Sequence, residues 1–409
     1  MKNLHVLALL ISFVGLPAAS GDSDARWVGT WAASVTSAPP GPTVLQNQTV
    51  REIVHATVGG SRVRIRLSNR FGTEPLLIGA VHIAIRRTGS NLLAGTDRAL
   101  TFNGLESASI PPGAPLLSDP VALIVPPFAD LAVSIFLPRA TPASTVHGQA
   151  LQTSYVSTGN QVSASGMPRP LTLTSWLFLT GVDVASSADA VVALGDSITD
   201  GDKSAVDANS RWPDILARRL AAKDRAHPIA VLNAGIGGNR ILHDGAGASG
   251  PMFGPGALAR FDRDVLAQAG AKYVIVLEGI NDLGHPGTAA APASEEVTVN
   301  DITAGLRQLI ERAHEKQLRI FGGTILPFEG TTYPGYYKPD REAKRVQVNQ
   351  WIRSSKAFDA IIDFEKAVAD PAHPTRLLPR YDSGDHLHPN DAGYKAMADA
   401  VDLLLFVSR

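Results

Sequence analysis

The stretch "AVVALGDSITDG", residues 190–201, decides how the chain is read. Five small or branched apolar residues run up to Gly195, and Asp196 and Ser197 follow at the turn. A short apolar run that ends at a glycine is what a strand buried on both faces presents. Four later runs repeat the pattern: "PIAVLNAG" (228–235), "KYVIVLEG" (272–279), "LRIFGGTIL" (318–326) and "AIIDFE" (360–365). Helical patterns separate or follow them: "RWPDILARRLAA", "ALARFDRDVLAQ", "DITAGLRQLIERAHEKQ", "DREAKRVQVNQWIRS" and "NDAGYKAMADAVDLLLF". This alternation predicts an α/β domain over residues 186–409, a five-stranded parallel, doubly wound sheet of the flavodoxin-like kind.

Upstream the rhythm differs. "TVREIVHATV" and "SRVRIRLSN" alternate apolar and polar residues, and Gly59-Gly60 between them reads as a two-residue hairpin turn. "PLLIGAVHIAIRR", "ALTFNG", "VALIV", "DLAVSIFLP" and "WLFLTGVDV" follow, punctuated by Gly, Pro and Asp. Residues 27–185 are therefore expected to form an all-β sandwich or jelly-roll domain. Within it, residues 143–170 read as a long loop of small residues. Arg62, Arg64 and Arg66 alternate with Val63, Ile65 and Leu67, as on the solvated face of a strand.

The 409 residues are too many for one ordinary core, which also argues for two domains. Charged residues make up 18% and the net charge is −1, so bulk electrostatics offers nucleic acid no attraction. Residues 1–20 read as a signal peptide: Lys2 is basic, Leu4 to Gly15 is apolar but too short for a bilayer, and Ala18 and Ser20 precede a cut before Gly21. The expected protein is secreted or periplasmic, with no membrane contact once the leader is removed. No cysteine is present, so thiolate nucleophiles and thiolate metal sites are excluded.

In a parallel sheet, functional groups collect at the carboxyl ends of the strands. The first strand there offers Ser197, the second "NAGIGGNR", the third "EGINDLG", and the loop before the last helix "DSGDHLHPN". A serine, two Gly/Asn turns and an Asp-x-x-His would meet on one rim. Ester cleavage requires such a set: a nucleophile, a base to take its proton, a group to orient that base, and donors for the oxyanion. Each residue also has a plainer reading. Ser197 could simply cap the next turn. Asp196 and Asp200 read as loop carboxylates bonding local backbone, and Gly237-Gly238 and Asn281 could be ordinary turn residues, with Asp282 orienting its turn. His386 is a rival base and Asp382 a rival carboxylate; His243, His285 and His314 have no placed partner and read as structural or exposed. "GIGGNR" lacks the last glycine of a dinucleotide fingerprint, and "DHLH" lacks a third ligand cluster for zinc. No cofactor and no metal is expected.

Taken together, "GDSITDG", "NAGIGGN", "GIND" and "DHLHPN" resemble, in order, the four blocks of the SGNH/GDSL hydrolase superfamily. "WVGTWAAS" and "VRIRLSNRFG" are more loosely similar to the β-rich N-terminal part of a subgroup with rumen-xylanase-cluster esterases. The resemblance implies a serine esterase. Ser197 would be the nucleophile, His388 the base and Asp385 its partner. The Ser197 and Gly238 N–H groups and the Asn281 amide would form the oxyanion hole. The implied substrate is a short-chain, acetyl-like ester of a carbohydrate or aryl alcohol, small or polymeric. Phe328, Tyr333, Tyr336 and Tyr337, in the loop after the fourth strand, are candidate substrate-binding rings. The competing readings are a carbohydrate-binding protein with an inactive hydrolase domain, and a lysophospholipase or thioesterase.

Overall fold

Five parallel strands order the C-terminal half: β1 (Asp189–Gly195), β2 (Ile229–Gly235), β3 (Ala271–Leu277), β4 (Arg319–Gly323) and β5 (Ala360–Ile362). Their spatial order is β2-β1-β3-β4-β5, the doubly wound arrangement expected. The central strands are buried almost throughout, on both faces of the sheet. The computed structural model describes residues 26–406, so the expected leader lies outside the described residues.

Local sequence explains where the helices start. In α1 (Trp212–Lys223), Asp214 folds back to the Arg211 N–H and Pro213 sits in the first turn. Thr298 and Asp301 form a reciprocal capping box on α2 (Val299–Glu315). Helix α3 (Pro339–Ser354) begins on a proline. Asn390 caps α4 (Asp391–Asp399) through the N–H groups of Ala392 and Gly393. The helix expected over 257–268 is broken: an α-turn (Ala257–Phe261) passes into a π-turn (Asp262–Leu266). The break accompanies Arg260, whose buried side chain reaches inward to the strand ends.

The N-terminal half is antiparallel. One sheet orders Trp27–Ala32, Leu179–Ala185, Gly60–Ser68 and Pro115–Leu117, with Val121–Val125 also on Gly60–Ser68. The other centres on Gln48–His55, Asp130–Leu137 and Ala80–Thr88. The hairpin read at Gly59-Gly60 is not formed, because the strands on either side belong to different sheets. These glycines instead allow close backbone passage: a Cβ would fall 2.5 Å from the Val125 carbonyl at Gly59, and 2.6 Å from that of Ala185 at Gly60.

Three further readings are corrected. The 143–170 segment is not one loop, since it holds the strands Thr145–His147 and Ser154–Thr158. The apparent alternation of "TVREIVH" does not mark a half-wet strand, because Arg51 and Glu52 are both buried. Arg51 is tolerated there by Ser134 Oγ and by the carbonyls of Ser90, Gln161 and Ala164. Arg64 and Arg66 are half-buried rather than fully solvated, and pair with Asp183 on the adjacent strand at 3.0 and 3.8 Å. Among the described residues no helix is long and apolar enough to cross a membrane.

The two halves share one hydrophobic core, running from Val28, Val63 and Val133 to Leu232, Val274 and Phe321. The first strand packs on β2 so closely that a Cβ on Gly29 would lie 2.8 Å from Leu232 Cδ1. Thr57 Oγ1 also accepts the Val231 N–H at 3.2 Å. Replacing the fully buried Leu232 with alanine should cost about 2–5 kcal/mol. Because the core is continuous, denaturation followed by tryptophan fluorescence and by far-ultraviolet dichroism should give coincident single transitions in both proteins. Separate transitions for the two halves would contradict the shared core.

Candidate active site

Ser197 opens a single helical turn (Ser197–Asp200) directly after β1. The cap of that turn is Asp196, whose Oδ1 accepts the Ile198 N–H at 2.9 Å. Ser197 is therefore free of the capping role, and its Oγ lies 2.8 Å from His388 Nε2. The other ring nitrogen, Nδ1, lies 2.7 Å from Asp385 Oδ2. Asp385 Oδ1 accepts the N–H groups of Leu387 and His388, at 3.0 and 2.8 Å. Partial burial would raise this carboxyl. The His388 ring and the two backbone donors outweigh it and hold Asp385 well below the usual carboxylate range. A carboxylate on Nδ1 requires the hydrogen there, which leaves Nε2 as an acceptor for the serine proton.

The rival base points elsewhere. His386 is half-exposed and its Nδ1 turns to Asp382. His386 adopts a left-handed backbone conformation, φ 59°, so strand alternation does not relate the two histidines and each ring takes its own carboxylate.

Gly238 follows β2 in a left-handed conformation, φ 74°. A Cβ there would fall 2.1 Å from Phe253 Cδ1, so only glycine fits. Its N–H donates to no protein group among the described residues. Asn281 comes from the short helix after β3 (Ile280–Gly284) and is buried. Its Oδ1 accepts the Tyr336 hydroxyl at 2.7 Å and its Nδ2 donates to the Asn239 carbonyl at 2.9 Å. This fixes which way the amide faces and leaves one Nδ2 hydrogen for the cleft. Asp282 anchors the neighbouring loop by accepting the N–H groups of Ile241 and Leu242 at 2.8 and 3.1 Å.

Ser197, Gly238, Asn281 and His388 line a cleft of about 1020 Å³. Of the four aromatic candidates, only Tyr333 and Tyr336 line it. Phe328 is fully buried and packs edge-to-face on Tyr336 and Tyr337, so Phe328 and Tyr337 support the loop rather than face the cleft. Tyr333 is exposed at the rim, with its ring centroid 6.1 Å from that of His388. One whole wall belongs to the N-terminal half, including Val44, Leu45, Val146, Leu171, Leu173 and Leu177.

Several residues of the site escaped the sequence reading. Asp200, which reads in sequence as bonding local backbone, has distant partners: the Gly237 N–H at 3.1 Å and His147 Nε2 at 2.9 Å. His147 itself gave no signal in sequence. His285, read as structural or exposed, lines the cleft stacked on Phe253. Burial, with Arg240 and Arg341 nearby, pushes its pKa down to about 4. Outside the cleft, His314 does have a carboxylate partner, Asp359 at 3.1 Å.

Beneath the rim lies a buried charge layer. Arg260 donates to the carbonyls of Gly195 and Ala234, at 2.9 and 2.7 Å, and to Asn239 Oδ1 at 2.8 Å. It also meets Asp264 and Glu278, each at 3.3 Å. Burial, reinforced by the other carboxylates, pushes Asp196 up to about 7 and Glu278 well above its ordinary value.

Among known proteins, residues 193–396 match the GDSL-like lipase/acylhydrolase family. The chain is 24% identical over 235 residues to human platelet-activating factor acetylhydrolase IB subunit alpha1, spanning 56% of this chain and 82% of that protein. In structure it is similar to an acetylxylan esterase from Geobacillus stearothermophilus, at 22% identity and a TM-score of 0.39, covering 52% of this chain and 91% of that one. A lipase/acylhydrolase from Enterococcus faecalis is similar at 20% identity and a TM-score of 0.39, covering 52% and 92%. Through residues 193–396 the chain belongs to the GDSL-like lipase/acylhydrolase family, and it is a carboxylic ester hydrolase of that type.

Proposed function

We propose that the protein is an exported serine esterase in which Ser197 attacks, His388 relays the proton and Asp385 orients and stabilises the imidazolium. The observation that carries this is the continuous contact from Ser197 Oγ through His388 to Asp385, at 2.8 and 2.7 Å, on the wall of a cleft. His388 takes the serine proton as the hydroxyl oxygen adds to the ester carbonyl. The resulting oxyanion faces the N–H groups of Ser197 and Gly238 and the Asn281 amide. Collapse expels the alcohol, which receives the proton held on His388. Water then cleaves the acyl-serine by the same route in reverse order.

For substrate, the proposal is a short acyl group, acetyl in the first instance, on a carbohydrate or aryl alcohol. The human relative is named an acetylhydrolase, which favours a small acyl group. The exposed Tyr333 ring at the rim offers a stacking face for a sugar or aryl leaving group. One observation favours a second reading. The exposed Val44 and Leu171 side chains continue the apolar wall outward, as a lipid or other long-chain ester would require.

Ser197→Ala should lower kcat on p-nitrophenyl acetate by about 10³–10⁶ with an unchanged dichroism spectrum. Near-normal turnover by that variant would end the proposal. Asn281→Ala should lower kcat by about 10²–10³. Tyr336→Phe, which only frees the amide to rotate, should show a smaller loss in kcat than Asn281→Ala. A p-nitrophenyl ester series from two to twelve carbons separates the substrate readings: rates falling beyond about four carbons support the short-acyl enzyme, and rates rising beyond about eight support the long-chain one, since each buried CH₂ is worth about 0.8 kcal/mol.

A further inference from the structure

The N-terminal half does more than wall the cleft. His147 ends the short strand Thr145–His147 and its side chain is almost completely buried. Its Nδ1 lies 2.8 Å from the Ser34 carbonyl, and its Nε2 lies 2.9 Å from Asp200 Oδ1. A carbonyl oxygen only accepts, so Nδ1 carries a hydrogen. An ionised carboxylate also only accepts, so Nε2 carries one too. Both contacts are satisfied together by the imidazolium paired with the Asp200 anion. Burial works against that charge and Arg211 opposes it as well, but the Asp200 carboxylate outweighs them and the ring's pKa is raised.

The ring is also held in place. Trp176 packs on it with centroids 5.4 Å apart, and Trp31 meets Trp176 edge-on at 4.8 Å. On the other side of the pair, Arg211 Nε donates to the Asp200 carbonyl at 2.6 Å. With one carboxylate oxygen taken by His147, the other, Oδ2, accepts the Gly237 N–H at 3.1 Å. The next residue is Gly238, whose N–H faces the oxyanion in the mechanism above. A chain of single contacts thus runs from a strand of the N-terminal half to the turn where negative charge develops.

We propose that His147 is a positioning residue for this hydrolysis: paired with Asp200, it sets the Gly237-Gly238 turn so that the Gly238 N–H meets the oxyanion. The assignment rests on the esterase reading of Ser197. It acts on transition-state stabilisation and leaves ground-state binding alone, so it belongs in kcat and not in KM. A misplacement of about 1 Å at such a donor is enough to cost about 10²-fold.

The test is steady-state kinetics on p-nitrophenyl acetate with the full chain. His147→Met, which fills the space without a donor, should lower kcat by about 10²-fold with KM within threefold of the parent. His147→Gln, which can still donate to Asp200, should recover at least tenfold of that loss. A folded His147→Met protein with kcat within threefold of the parent, or a loss confined to KM, overturns the proposal. If His147→Met does not fold, Asp200→Asn decides. It keeps an oxygen for Gly237 but removes the anion that pairs with the imidazolium, and should lower kcat at least tenfold at constant KM; an unchanged kcat overturns the proposal. Ser197→Ala is measured alongside. An active Ser197→Ala protein defeats the esterase reading itself, whereas an inactive one beside unaffected His147 and Asp200 variants defeats only the positioning role.

Discussion

The Arg260 guanidinium is the interaction on which the rest of the site depends. It has no solvent-exposed surface, and it ties the carbonyl ends of β1 and β2 to the loop that follows β2. Those strand ends carry the serine turn and the glycine turn, so one cation sets the spacing between them. A buried cation is costly unless it is fully partnered. Here Asp264, Glu278, Asn239 and two carbonyls supply the partners. Burial, reinforced by the neighbouring carboxylates, raises Asp196 to about 7 and Glu278 well above its ordinary value.

Much of this architecture is legible in the sequence. The five parallel strands read clearly because strands buried on two faces have no polar side to confuse the pattern. The Ser197, Gly238, Asn281 and His388 turns could be placed together because parallel strands all end on one rim. What failed were inferences from local rhythm about partners distant in sequence. Gly59-Gly60 has the composition of a tight turn, yet nothing local distinguishes a hairpin from a crossing between sheets. Arg51, Glu52 and Arg260 look like surface charges in one dimension, because burial of a charge is decided by partners up to 226 residues away. Phe328 and Tyr336 share one loop with Tyr333, but only the fold separates a ring packed in the core from one lining the cleft or exposed at its rim.

The helical break after Phe261 belongs with these failures. The amphipathic spacing of 257–268 is genuine, and an α-helix is the natural expectation. The π-turn begins at Asp262, two residues after Arg260, whose head group reaches the strand ends. Tertiary demand overrode local preference at the point where the site needed a cation.

The residues proposed to break the ester all come from the C-terminal half, and much of the cleft surface around them comes from strands and loops before residue 180. Much of the surface that would select a substrate is thereby written in a different part of the gene from the proposed chemistry. Alterations at Val44 or Leu171 can reshape which molecules are admitted while Ser197, His388 and Asp385 stay untouched. His147 limits that freedom, because redesigning the wall there would also disturb the reaction.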